Sequence, residues 1–364
     1  MNKKLLALAV AAALAPAAAM ADSGNVVISG KIAADVTFVN GTGQTGVLDN
    51  NTHQVNNNNS VVTLAGNEDL GNGNKAFFSL TYGLNMVSAA SALSGQNQIM
   101  GLEGKTWGKA FVGAFDNPLK VMGRGTDLFA DQSTGDARYL TGRGAVEARA
   151  NDVIAYITPS FNGFTGVLAH TNNPVTTVAV DVTDAGRSTA MNIVKLAYAN
   201  GPVTAAIGHH TIDSQGTSGT TNVVGGESAT RVTGSYAAGD LKFVGSWQKV
   251  DHAYDVAETA AGLKGANTKV WGLGAAYKMG ATTLKGQYYK LSDDVADSGA
   301  KMVAVGADYA MSKRTTLQLA YSKVSNDTNA GYGVNAAVAG SDALSLSANG
   351  QDPSRLSLGM KHTF

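Results

Sequence analysis

Residues 75–86 read KAFFSLTYGLNM. Phe78, Leu80, Tyr82, Leu84 and Met86 fall on one side of an extended chain, and Lys75, Ser79, Thr81 and Asn85 on the other. A period of two with one apolar and one polar face is the mark of a β-strand. Residues 26–38, VVISGKIAADVTF, repeat it: Val26, Ile28, Ile32, Val36 and Phe38 oppose Ser29, Lys31, Asp35 and Thr37. A soluble sandwich shows the same alternation, so the architecture is decided by how many such strands follow and how they are joined.

Fourteen more follow, at 60–67, 96–105, 108–116, 149–158, 164–171, 190–199, 203–212, 228–237, 241–250, 268–278, 282–291, 300–310, 315–324 and 354–364, which makes sixteen. Short turns, such as 69–74, 106–107, 201–202, 238–240 and 311–314, alternate with long polar connections at 39–59, 87–95, 117–148, 172–189, 213–227, 251–267, 292–299 and 325–353. Tight turns on one rim and long loops on the other are the pattern of an outer-membrane barrel, with periplasmic turns and external loops. The expected fold is therefore all-β: a 16-stranded antiparallel transmembrane β-barrel, wide enough to enclose an aqueous channel.

Composition agrees. Charged residues make up 15% of the chain, against roughly 25% in soluble domains. Residues 1–21 carry Lys3 and Lys4, then an apolar run over 5–15, then a small-x-small site at Ala19-Met20-Ala21. That is a signal peptide, leaving 22–364 as the mature barrel of 343 residues, 364 less 21. Losing the two lysines takes 27 basic residues to 25 against 27 acids, a net charge of −2 and no footprint for nucleic acid. There is no cysteine, hence no disulfide framework in an exported chain.

Aromatic residues gather near strand ends (Tyr82, Trp107, Phe115, Tyr156, Tyr198, Tyr236, Trp271, Tyr277, Tyr309 and Tyr321), as interfacial girdles do. The Asn-rich stretch 50–59 reads as a solvated part of the first external loop. Catalytic chemistry is not found. Gly104-Lys105-Thr106 lacks the first glycine of a phosphate loop, since Ile99 stands there, and Gly272-x-Gly274 lies mid-strand. Six histidines are scattered, and His209 and His210 would point to opposite faces of a strand. No G-x-S-x-G occurs, so neither an enzyme nor a metal or cofactor site is expected. An outer-membrane lipase or protease would need a Ser/His or Asp/His set at the rim. A substrate-selective channel or an adhesin on the same barrel is the alternative, although no inward aromatic track is evident.

Three segments carry a family likeness. Residues 60–80, SVVTLAGNEDLGNGNKAFFSL, residues 306–315, GADYAMSKRT, and residues 358–364, LGMKHTF, resemble the trimeric general porins of Gram-negative bacteria, in their β-proteobacterial branch. The likeness runs from residue 25 to the C-terminus. It implies a general diffusion porin of the outer membrane, a homotrimer set among lipids and lipopolysaccharide, that passes small hydrophilic solutes and ions passively. It also implies that Phe364, ending a strand with Leu356, Leu358, Met360 and His362 on one face, is read by the barrel assembly machinery.

By the same likeness, 117–148 is the third external loop, folded inward to constrict the pore, with acids facing basic residues on the wall. Asp127 and Asp131 match the loop acids, although the usual Pro-Glu-Phe-Gly-Gly segment is missing. Lys31 and Arg149 match two wall positions, while Val61 and Gln96 stand where two arginines are usual. Strand alternation further directs Lys195, Arg231, Lys285 and Lys361 towards the lumen. Two acids against two of four bases lead to an expectation of weak selectivity leaning towards cations.

Overall fold

The computed structural model describes residues 26–41, 53–88, 93–172, 188–218, 221–224, 226–251, 267–333 and 347–364. The signal peptide read over 1–21 and His252 lie outside them. Among the described residues there are eighteen strands: β1 (Val27–Asn40), β2 (His53–Asn57), β3 (Ser60–Gly71), β4 (Asn74–Leu84), β5 (Ser94–Gly104), β6 (Gly108–Asp116), β7 (Arg149–Ile157), β8 (Phe164–Thr171), β9 (Ser188–Asn200), β10 (Val203–Ser218), β11 (Thr221–Val224), β12 (Glu227–Ala238), β13 (Leu241–Asp251), β14 (Thr268–Met279), β15 (Thr282–Asp293), β16 (Ala300–Ala310), β17 (Thr315–Asn326) and β18 (Ser354–Thr363). β2 and β11 are short additions at the loop end, paired with β1 and β10. The other sixteen pair antiparallel with their chain neighbours, and β1 pairs with β18 to close the ring. Each coincides with one expected from sequence, most within one to four residues and β10 reaching six further into the loop end.

The alternation has the expected sense. On β1, Ala33, Asp35, Thr37 and Val39 are buried towards the interior, while Val36 and Phe38 are exposed outward. The outward face is apolar over most of the barrel, with Val303 and Val305 on β16, and Leu317 and Leu319 on β17. Two aromatic rows bound that band on β12 to β17. Tyr236, Phe243, Tyr277 and Tyr309 lie towards the short turns, and Trp247, Trp271, Tyr288 and Tyr321 towards the long connections. Phe115 departs from the girdle expectation. It packs against Phe111 inside, with ring centroids 5.0 Å apart, because it stands four residues from the inward Phe111 and alternation puts both on the inner face.

The Asn-rich segment is the second correction. Asparagine is a poor strand former, yet residues 53–57 form β2 and pair with residues 34–38 of β1. The inward carboxylate of Asp35 explains it: Asn56 donates to it at 2.9 Å and Asn58 at 2.7 Å. These side chains are ordered hydrogen-bond donors, not a solvated tether.

A sheet closed in this way should stay folded in mild detergent until heated. Unboiled protein is expected to migrate as a compact species in electrophoresis and shift on boiling, with a β-type circular dichroism spectrum; a helix-dominated spectrum is incompatible with the fold.

Candidate functional site

Residues 117–148 run inside the barrel. Asn117 begins the segment as a cap, its side-chain oxygen accepting from Leu119 N at 2.9 Å, and Pro118 starts the helix Pro118–Thr126 where its missing N–H costs nothing. A turn at 128–131 follows, then a short helix Arg138–Thr141 and a 3-10 turn Gly144–Glu147. Asn117 N donates to Ala148 O at 3.0 Å, closing the root of the loop.

Wall strands on several sides hold this loop. From β12, Arg231 donates to Leu119 O and to Glu147, each at 2.7 Å, and also to Gln248 on β13. From β15, Gln287 Nε2 donates to Asp127 at 2.8 Å and to Gly135 O at 2.7 Å. From β18, Arg355 donates to Ser133 O at 2.9 Å. From β1, Lys31 Nζ meets Asp131 at 2.7 Å. Two glycines make the approach possible. A Cβ at Gly123 would lie 2.1 Å from Arg231 Nη1, and one at Gly208 on β10 would lie 2.8 Å from Met122 Sδ.

His210 is a further anchor. It is fully buried, between Asn117 Nδ2 and Glu227, both at 2.9 Å from its ring nitrogens. Asn117 uses its oxygen on Leu119 N, so its NH₂ donates to His210 Nδ1 and to Ala145 O. That leaves Nε2 to carry the hydrogen towards Glu227, whose carboxylate also accepts from Ala145 N at 2.8 Å. Both ends of the loop therefore meet at one imidazole.

The structure separates the expected constriction residues. Lys31 and Asp131 touch. Asp127 does not face water: its side chain is 1% exposed, against 28% for Asp131. It accepts from Phe129 N at 2.9 Å and Ala137 N at 2.8 Å, so it organises the loop from within. Arg149 pairs with Asp116 at 3.0 Å, and Lys120 joins the same carboxylate at 3.2 Å. Arg231 and Lys285 point inward but are covered; Lys285 meets Asp308 at 2.8 Å and lies 4.6 Å from the Phe129 ring centroid. Lys195 and Lys361 occupy inward positions on β9 and β18 and are partly exposed.

The central group escaped the sequence reading. Arg124, on the loop helix, sits among three acids: Asp131 at 2.7 Å, Asp136 at 2.8 Å and Asp127 at 3.7 Å. Arg138 adds a second cation to Asp136 at 3.1 Å. Burial acts against the charge of Asp131, but Arg124 and then Lys31 outweigh it and hold its carboxyl well below the usual range. Asp136 is lowered likewise, by Arg124 and Arg138 against burial. Asp127 goes the other way. Burial and then the neighbouring Asp136 push it up to about 7, only partly offset by Arg124. Phe77 and Phe111 also point inward, and both pack in the cluster around Leu119.

Two outcomes follow from this seat. Arg231→Met leaves the buried Glu147 without its cation and should cost about 3 to 5 kcal/mol. It should appear as a lower heat-dissociation temperature and a noisier open-channel current in planar bilayers. The second concerns Asp127, whose folded carboxyl holds its proton up to about 7, so ionisation between the usual carboxylate range and about 7 weakens the seat as pH rises. Open-channel noise should grow from about pH 5 to about pH 8, and Asp127→Asn should flatten that dependence.

Known proteins share this construction. The family described as Gram-negative porin matches residues 7–329. Outer membrane porin protein 32 of Delftia acidovorans is 28% identical over 390 aligned residues, covering 100% of both chains. An outer membrane porin protein of Bordetella pertussis is 27% identical over 286 residues, 70% of this chain and 74% of its own. Among solved structures, the anion-selective porin from Comamonas acidovorans superposes with a TM-score of 0.75 at 22% identity, over 94% of this chain and 100% of that one. With a sixteen-strand barrel, an inward loop and a family match over most of its length, this chain belongs to the Gram-negative porin family.

Proposed function

We propose that this chain is a general diffusion porin of the outer membrane, without catalytic activity, whose constriction is the 117–148 loop. The observation that carries this is the loop's set of anchors on β1, β12, β15 and β18, which draws it across the barrel interior instead of outwards. Lys31, Asp131 and Arg124 are the part-exposed charges at its edge, and small hydrophilic solutes and ions pass beside them.

Selectivity is weak, and the balance leans towards anions. The expected cation lean rested on two loop acids. One of them, Asp127, is buried, and the other, Asp131, is neutralised by both Arg124 and Lys31. Lys195 and Lys361 add positive charge to the lumen with no carboxylate in ion-pair reach among the described residues. Screening confines each field to about 8 Å at physiological salt, so ring charges matter more than the net charge.

The working unit is a homotrimer, as the likeness to trimeric porins implies. Phe364 serves as the assembly signal. Its backbone pairs with Gly30 in both directions, at 3.0 and 3.1 Å, and its ring lies on the outward face where assembly factors can reach it.

Two measurements test this. In planar bilayers under a KCl gradient, the reversal potential should show a small chloride preference. Asp131→Asn, and Val61→Arg combined with Gln96→Arg, should each increase it, whereas Asp127→Asn should leave it nearly unchanged. A strong potassium preference would refute the assignment. Separately, removal of Phe364 should lower surface levels far more than it lowers the heat-dissociation temperature of refolded protein, and normal surface levels would sink the signal role.

A further inference from the structure

The interior of a wide barrel is polar as a rule, because water fills it. Strands β4 to β9 depart from that rule. Their inward side chains include Phe77, Ile99, Phe111, Ile157, Val167 and Ile193. The inward loop covers part of this strip, with its Leu119 and Val146 in one cluster with Phe111 and Ile193. Phe77, Ile99 and Ile157 stay only half-buried, in the half of the lumen nearest the short turns. Across the same half, β16 to β1 carry Asp308, Gln318, Lys361 and Lys31. One wall of the channel is therefore apolar and the facing wall charged.

Two lysines bracket the apolar wall. Lys109, Ile157, Val167 and Lys195 form one cross-strand row, each directly opposite the next from β6 to β9. The ends of the row are three strand spacings apart, about 14 Å. They are not equivalent. Lys109 is engaged, with its Nζ 3.7 Å from the Phe77 ring centroid and 3.6 Å from Glu103. Lys195 is part-exposed and has no carboxylate within ion-pair reach among the described residues. Its other cross-strand neighbour is Gly208, where a Cβ would stand 2.8 Å from Met122 Sδ and 3.0 Å from Leu119 Cδ1. Val167 thus flanks Lys195 on one side and the apolar side chains of the loop helix on the other. One cation set in a hydrocarbon surface has the composition of a ligand site: a single polar group to orient, and apolar area to bind.

We propose that this wall binds carboxylates with an apolar body, of the arylalkanoate type, as they cross the channel. The inference rests on the diffusion-channel reading and names a preferred solute class for it. The carboxylate pairs with Lys195 Nζ, and the ring lies over Val167 and Ile157, within the two strand spacings, about 10 Å, that separate Lys195 from Ile157. A small carboxylate gains only the charge contact, and a neutral aromatic only the apolar one. The edge of the constriction admits such a solute. Val121 of the loop helix is exposed, and a Cβ at Gly125 would meet nothing within 4 Å.

The test titrates the full barrel in mild detergent by calorimetry with phenylpropionate, propionate and the neutral phenylpropanol. Phenylpropionate should bind about tenfold or more tightly than either of the others. In planar bilayers it should reduce the KCl current with the same ranking. Lys195→Met should remove the advantage over phenylpropanol, and Ile157→Thr should weaken phenylpropionate about threefold while leaving propionate unchanged. Lys361→Met, the same charge change on the facing wall, should keep the ranking. Where Lys195→Met does not show the heat-shift of a folded barrel, Ile157→Thr decides. Equal binding of the two acids, equal binding of phenylpropanol, or an unchanged phenylpropionate affinity in a folded Lys195→Met or Ile157→Thr variant would each overturn the proposal. A barrel that conducts no KCl current would instead overturn the channel reading, while the calorimetric ranking still decides the site.

Discussion

Hydrocarbon offers a backbone N–H no partner to replace the one a strand would provide, so a sheet crossing a membrane cannot have a free edge. Here β1 carries that constraint. Residues 27–31 pair with β3, residues 34–38 with β2, and residues 31–40 with β18. The C-terminal Phe364 extends the seam by bonding Gly30, and a Cβ at Gly30 would lie 2.8 Å from the Phe364 ring. Closure then dictates the rest: with no edge left, every strand has one face to lipid and one to the lumen, and all polar chemistry is forced onto the inner face or the rims.

The inner face of a sixteen-strand ring is too wide to fill with its own side chains, so the chain supplies a filler. The inward loop is less a flap than a second, polar core. Its burial brings Arg124, Asp127, Asp131 and Asp136 within one cluster, and the cost of removing those charges from water is offset by pairing and by backbone donors such as Phe129 N and Ala137 N. Arg231 and Arg355, both fully buried, act as bolts from the wall, each aimed at a loop carbonyl, Leu119 O and Ser133 O.

The barrel was legible because period two is written into each strand and because turn lengths alternate; those signals are local. Residues 108–116 and 164–171 were read to their ends for that reason. What was not legible depends on partners distant in sequence. β2 breaks the propensity rule because Asp35 waits across the sheet for Asn56 and Asn58. His210, read as one of six scattered histidines, acquires its role only when Asn117 and Glu227 reach it from the root of the loop and from β12. The inward direction of Lys31, Arg231, Lys285 and Lys361 followed from alternation; which of them are covered did not, since only the path of the loop decides that.

The same point explains the missing wall arginines. Val61 lies directly opposite Lys31 in the β1–β3 register, so an arginine there would have stood beside the lysine that meets Asp131. Gln96 is buried and donates to Asn59 at 2.9 Å, which fixes the end of β5 to the start of β3. The compensating charge sits on the loop itself, as Arg124 and Arg138. Acids that would otherwise look across open water at wall cations are met at 2.7 to 3.1 Å by cations of their own segment. At that separation opposite charges act as local hydrogen-bonded pairs whose fields largely cancel beyond a few ångströms. A transverse field needs its charges kept apart; this loop brings them together. On the proposed reading, what remains to act on a passing ion is the positive charge of Lys195 and Lys361 on the wall, which no carboxylate among the described residues pairs.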